Sequence, residues 1–372
     1  MDFVVVGGGV IGAGVAWALA RRGAPVLLVE AEHVASGASG GLGKRGVRAN
    51  GRDLRELPLM RLAYERWPTL AEEIGAPTGY ERTGHLLLIE EDKDYLGVPA
   101  AAWAQTQRGI PTRVIARKAL LDMEPSLSGR VIAAVYCPQD GVADHTATTR
   151  GLAQAARGLG AAIREETRVI GLERRGDRVT GVITAQQERL GVGRTLLLLS
   201  NTSVPDFLDS QCGITLPVWG ILPQVVLTGP VTPMPVRHLI GHAHRRLAMK
   251  AMPDGRVMIS GGWRGRWNST IGQGETQPDQ VRGNVGEAVA VYPCLEGVAV
   301  AAAAADRWES VTVDGIPIID QVPGTANALF ATGWSGHGWA LAPAVSELLA
   351  MWALAGEAPD VLRPFAYRRF FG

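Results

Sequence analysis

"DFVVVGGGVIGAGVAWALARRGAPVLLVE", residues 2–30, is the stretch on which the fold turns. Phe3 to Val6 form a continuous apolar run, the pattern of a central parallel strand buried on both faces. Gly7, Gly9 and Gly12 follow as G-x-G-x-x-G, enclosing Val10 and Ile11, with Gly14 beyond. In such a motif the first glycine permits the tight turn, the second lets a pyrophosphate reach the backbone, and the third lets the helix pack on the strand. The helix start offers free N–H groups and a positive dipole end to the phosphates. Val15, Leu19 and their neighbours give the helix an apolar face, and Gly23 ends it. "PVLLVE" is a second strand closed by Glu30, with Ala31 next to it. A carboxylate there accepts hydrogen bonds from the adenosine ribose and repels a 2′-phosphate. A lone glycine motif is weak. Strand, helix and terminal acid together make it a dinucleotide-binding unit.

The rest of the composition narrows the classes. At 372 residues the chain is long for one core, so two joined lobes are expected. Hydrophobic content of 47% excludes disorder, and a net charge of +1 gives no case for nucleic acid or an anionic membrane as partner. Cys137, Cys212 and Cys294 are far apart and have no metal-ligand spacing, so they are expected to be reduced thiols of a cytoplasmic protein, with no metal site. The apolar N-terminus lacks a basic region before it and is expected to be a strand, not a signal peptide. No apolar run is expected to span a bilayer. "VAVAAAAAD" (298–306) is too short, and its small residues suit a buried strand.

"ASGASGGLGKRGVRANGRD" (35–53) is rich in Gly, Ser and Arg and has no strand pattern. A long small-residue segment here suits a chain laid along an extended cofactor. Residues 151–184 predict a helix, a strand, then a hairpin turning at Arg175-Gly176-Asp177. "TLLLLS" (195–200) and "ALFAT" (328–332) predict strands. After a loop with Gly333, Gly336 and Gly338, "APAVSELLAMWALAG" predicts a helix stopped by Gly356.

Five places now carry a resemblance: the N-terminal unit; "ASGASGG"; "ERTGHLLL"; "DGVADHTATTRGLAQAARGLGA"; and "DGIPIID…ATGWSGHGWALAP". In their order and spacing the chain resembles the D-amino-acid oxidase superfamily of FAD-dependent amine and amino-acid oxidoreductases. It is most similar there to sarcosine oxidase, glycine oxidase and the β-type subunits of opine and hydroxyproline dehydrogenases. The resemblance implies FAD, with contacts from Ser36, Ser39, Gly40, Gly41, Arg45, Val169 and Asn201 besides the N-terminal motif. It also implies that Gly333, Ser335, Gly336, His337, Gly338 and Trp339 bring backbone N–H groups and a helix start to the flavin N1–C2=O locus, where charge accumulates on reduction. Asn201-Thr202-Ser203 stand where the family has Ala-Ala-Gly. Small polar residues can make the same turn.

Amine oxidation needs positioning groups rather than a triad. Arg45 and Arg48 are similar to a family Arg-x-x-Arg pair, one near the flavin and one holding a substrate carboxylate. Equally, they read as solvent-facing cations of a polar loop. Near Ala340 and Glu309 the family carries a lysine and an arginine that bind carboxylate. Here an anion replaces them. The expectation is a substrate with a cationic group near Glu309, such as a guanidino opine or a plain amine, unless Glu309 faces solvent. Arg48, Glu309 and His337 are the candidate substrate-side residues, with no base chemistry assigned to His337; His85 and His145 read as structural. No cysteine is near the segment that carries a covalent flavin link in sarcosine oxidase, so FAD is expected to be non-covalent. The strand "GRVMISGGW" (255–263) lacks the lysine that promotes oxygen reaction there, so a dehydrogenase slow with dioxygen is expected, although Lys250 lies only a few residues earlier.

The expected architecture is α/β. A discontinuous Rossmann-type FAD domain covers 1–80, 140–212 and 320–372. An α+β substrate domain, 81–139 and 213–319, carries a mainly antiparallel sheet from "RTGHLLLIE", "QVVLTGP", "RLAMKAMP", "RVMISGGW" and "VAVAAAAADRWES". Three functional classes stay open: a self-sufficient amine oxidase or dehydrogenase, a catalytic subunit passing electrons to a partner redox subunit, and a non-catalytic FAD-binding protein or a flavoenzyme tailoring a larger biosynthetic amine.

Overall fold

The computed structural model describes residues 1–41 and 43–371. Its N-terminal unit is β1 (Phe3–Val6), α1 (Val10–Ala20) and β2 (Val26–Val29). β1 is central in a six-stranded sheet, parallel to β2 on one side and to Thr195–Leu198 on the other. Ala162–Arg164 extends the sheet beyond β2, and Ala328–Thr332 beyond Thr195–Leu198. The edge strand Ile318–Gln321 is antiparallel. Phe3 and Val5 pack into one core and Val4 into another, which is why β1 has no polar alternation. The hairpin Val169–Arg175 with Arg178–Thr184 turns where expected, with Gly176 at φ +64°.

α1 departs from the expected amphipathic pattern. Every residue from Ile11 to Ala20 is buried. The helix is enclosed between His145–Gly158 and Gly338–Ala355, and a helix covered on all sides needs no polar face. The segment 35–53 also departs, because it contains β3 (Lys44–Val47), antiparallel to Gly141–Asp144. That pairing is across nearly a hundred residues and leaves no local pattern. α2 (Leu57–Ile74) follows, with Gly75 as its left-handed cap.

The second lobe is an eight-stranded sheet in the order Val300–Ala304, Val225–Thr228, Val257–Ser260, Ala248–Ala251, Leu239–His242, His85–Ile89, Ala133–Cys137, Arg113–Ala116. One neighbour pair, Leu239–His242 with His85–Ile89, is parallel and the others are antiparallel. The helix Pro278–Val291 covers one face through Ala288 and Val291 against Val226, Ile240 and Ile259. "VAVAAAAADRWES" divides in two. Val300–Ala304 is an edge strand, and Glu309–Thr312 leaves the sheet to pair with Val218–Ile221. The edge strand is not buried as expected: Val300 is 44% exposed. Ala301 and Ala302 beside it are exposed as well, as an edge strand allows.

The C-terminal helix starts at Gly338, earlier than predicted, and Gly356 caps it at φ +79°. Pro343 forfeits one backbone bond near its start without ending it. By length and composition alone this helix is apolar enough to cross a membrane. Much of it packs in the core against α1 and α2.

Candidate active site

A cavity of about 1320 Å³ lies between the two sheets. One end is the β1–α1 turn. Gly9 is extended, φ −73°, and a Cβ there would meet no atom within 4 Å. A Cβ on Gly12 would lie 1.9 Å from the Gly7 carbonyl oxygen. Gly12 therefore serves the packing of α1 on β1 and does not line the cavity, whereas Gly9 keeps ligand space clear. Gly7, Val10, Ile11, Glu30 and Ala31 also line it, with Val169 opposite. The Glu30 carboxylate accepts from Gly8 N at 2.5 Å and from Glu32 N at 2.9 Å, which fixes it at the end of β2.

The other end is the glycine loop after Ala328–Thr332. Ser335, Gly336, His337, Gly338 and Trp339 line the cavity. Gly333 does not: its Cβ would meet Thr312 Cγ2 at 2.3 Å, so it is required for packing. Gly336, at φ +78°, has open space where a Cβ would be. The loop is thus glycine-rich for two reasons, and one glycine faces the ligand. Trp339 lines the cavity, and its Nε1 is buried without a protein partner. Asn201 takes the turn expected of it, left-handed at φ +46°, and Thr332 Oγ1 donates to its carbonyl at 2.7 Å.

Between the ends, the Arg45 guanidinium donates to the carbonyls of Ser39 and Gly41. It holds that loop against the cavity, and burial lowers its pKa to about 10. Ser36, Ser39 and Gly40 line the cavity, while Gly41 is drawn behind it. Glu309 lines the cavity and is buried, not solvent-facing. Its carboxylate accepts from Ser39 Oγ at 2.6 Å and Ser310 N at 3.2 Å. Burial raises its pKa against those bonds. Arg45 and Glu309 hence bracket Ser39, and the Glu309 carboxylate offsets part of the effect of burial on Arg45. Arg48 lines the cavity with one Nη donating to Asn50 O.

Two residues that sequence reasoning did not assign belong here. Lys250, on Ala248–Ala251, is directly opposite Met258 on the neighbouring strand, and both line the cavity. Residues opposite one another share a face. Burial, with Arg45 close by, lowers the Lys250 ammonium to about 7. A lysine thus enters from the strand next to the one expected to carry it. The second residue is Glu56, fully buried at the start of α2, with Oε2 2.9 Å from His337 Nδ1.

Of the other histidines, His145 is in the wall, edge-on to Trp339 at 5.8 Å. His85 is outside it, buried with Nδ1 3.1 Å from Asn50 Nδ2. Remote from the cavity, Glu90, His242 and His244 come within metal-ligand reach of one another. There His242 Nδ1 accepts from Arg245 N at 3.2 Å, which puts its proton on Nε2, and Arg245 ion-pairs with Glu90 at 2.6 Å. The cluster reads as an ion-pair network. Among the described residues no cysteine lines the cavity.

The model of the family described as "DAO: FAD dependent oxidoreductase" matches residues 2–352. The chain is 26% identical to glycine oxidase of Geobacillus kaustophilus, over 100% of this chain and 97% of that one. It is 25% identical to one of the subunits of the opine oxidase of Rhizobium meliloti, over 100% and 98%. Among solved structures it is similar to L-proline dehydrogenase from P. horikoshii, with TM-score 0.89 and 25% identity over 99% and 97% of the two chains.

Proposed function

The chain belongs to the DAO family of FAD-dependent oxidoreductases, and from that premise we propose that it oxidises the C–N bond of an amino acid or amine bearing a carboxylate. The observation that carries this reading is one cavity bounded by the Gly9 turn, the Gly336 loop, Arg48 and Lys250. Gly9 and Gly336 leave room for a bound group. These features fit FAD, which supplies a two-electron acceptor when bound. With FAD bound, that acceptor would take the hydride of the α C–H bond, and the nitrogen lone pair would form C=N. Water then converts the imine to amine and carbonyl.

In this reading Arg48 holds the carboxylate, and Glu309 balances Arg45 instead of attracting a cationic substrate. The test is anaerobic bleaching of the flavin band by N-methyl, cyclic, guanidino and opine-type amines. Bleaching by guanidino compounds or plain amines alone would favour the cationic reading instead.

The expectation of slow dioxygen reaction rested on a missing lysine, and Lys250 supplies one. An ammonium stabilises the negative charge that dioxygen takes up. Lys250 is protonated below about pH 7 and neutral above it. Air reoxidation of the reduced protein is expected to slow as pH rises through about 7. In Lys250→Met it should be slower and flat with pH. A slope retained in the variant would remove Lys250 from the role. The full-length match to a subunit of opine oxidase favours a second reading, a catalytic subunit. In that case the isolated chain should bleach with substrate but recolour slowly in air at every pH.

FAD is non-covalent in this reading. Acid precipitation should leave all the yellow colour in the supernatant; colour kept in the pellet would point to His145 or His337, the histidines in the wall.

A further inference from the structure

His337 is in the glycine loop that lines the cavity, and Glu56, 281 residues away in sequence, meets it from the start of α2. The Glu56 side chain is fully buried and that of His337 is 23% exposed. A carboxylate can only accept, so Nδ1 carries the proton and donates at 2.9 Å. Nε2 is then an unprotonated acceptor. It has no protein partner, it is not among the fully buried atoms, and His337 lines the cavity. The charged groups facing His337 are Glu56, Arg52, Arg48 and Asp53. Burial first, then Arg52 and Arg48, lowers its pKa to about 4 against the pull of Glu56, so the ring is neutral at working pH. Arg52 is itself buried, with Nη1 3.8 Å from Glu56 Oε1.

We propose that Glu56 is a positioning residue that locks His337 in the Nδ1–H tautomer, so that Nε2 accepts a hydrogen bond from an N–H of the molecule bound in the cavity. A ring nitrogen is held in one tautomer by the partner of the other nitrogen. The N–H donor has two sources, the amine of the substrate and the ring N–H of the cofactor. In the first case a neutral secondary amine satisfies Nε2 and a neutral tertiary amine, having no N–H, does not. The substrate arm rests on the proposed amine oxidation; the tautomer does not.

The experiment starts with apoprotein labelled with ¹⁵N-histidine. The His337 Nδ1–H tautomer is expected, without titration above about pH 5. Glu56→Gln keeps an acceptor and should keep the tautomer. Glu56→Leu should lose it, and Arg52→Met/Glu56→Leu removes both buried charges if the single variant fails to fold. An Nε2–H tautomer in the wild type, or an unchanged ring in the Leu variants, overturns the proposal. With FAD, two arms follow. A roughly tenfold loss of kcat/KM on N-methylglycine, with little change on N,N-dimethylglycine and an unchanged FAD Kd, assigns the donor to the substrate. A roughly tenfold rise in FAD Kd assigns it to the cofactor. Glu56→Gln should largely restore either quantity. If both are unchanged in the Leu variants, the proposal falls. If no amine bleaches the wild type, it is the proposed reaction that fails, while the tautomer and FAD Kd still decide this inference.

Discussion

A Gly9→Val variant is expected to fold and to purify colourless. Gly9 has an extended backbone that valine adopts without strain, and its Cβ direction is empty to 4 Å. The fold thus has no objection to a side chain there beyond a small capping loss. A bound pyrophosphate does, because it must reach that backbone. FAD Kd should rise by two orders of magnitude or more, about 3 kcal/mol. The Tm of the apoprotein should barely move. Gly12→Ala is the opposite control. Its Cβ would overlap the Gly7 carbonyl at 1.9 Å, so β1 and α1 must part and the apoprotein itself should be destabilised. A yellow Gly9→Val protein with an unchanged FAD Kd would mean that the cofactor takes another course through the cavity.

Arg48→Met is expected to lower kcat/KM for a carboxylate-bearing amine by ~10²–10³, and to leave a plain amine within about threefold. Truncating one member of a buried charge pair has effects of about 2–5 kcal/mol, because the partner charge is left unpaired. Methionine keeps much of the arginine's volume, which limits repacking around Asn50. The plain amine, lacking the carboxylate, serves as the internal reference. Equal losses on both would show that Arg48 maintains the shape of the cavity and does not recognise carboxylate. A gain on a cationic substrate alone would return Glu309 to the recognition role that its sequence position suggested.

The part of this protein written in contiguous residues was readable without the structure. Phe3 to Glu30 form a local unit whose glycines, apolar runs and terminal acid each act within a few residues of one another. The same holds for the Gly176 hairpin and for Asn201, where a small polar residue makes a left-handed turn on its own. Burial on all sides of α1 was not readable, because apolar composition does not tell which faces neighbours will cover.

Which charges stand in and behind the walls of the cavity was decided by tertiary structure. Lys250 gave no signal along the strand Val257–Ser260, because the geometry that matters runs across it, to the residue opposite Met258. Glu309 carried an expectation drawn from its charge, but Ser39, 270 residues away, occupies its carboxylate. Glu56 gave no signal as one acid in a charged segment until α2 met the glycine loop. The physical reason is common to all three. Backbone conformation and cofactor turns depend on neighbours in sequence, whereas the charge, tautomer and accessibility of a buried side chain depend on neighbours in space. The sequence by itself determined the nucleotide-binding unit and the family; only the packing of the two lobes decided which charges face the ligand.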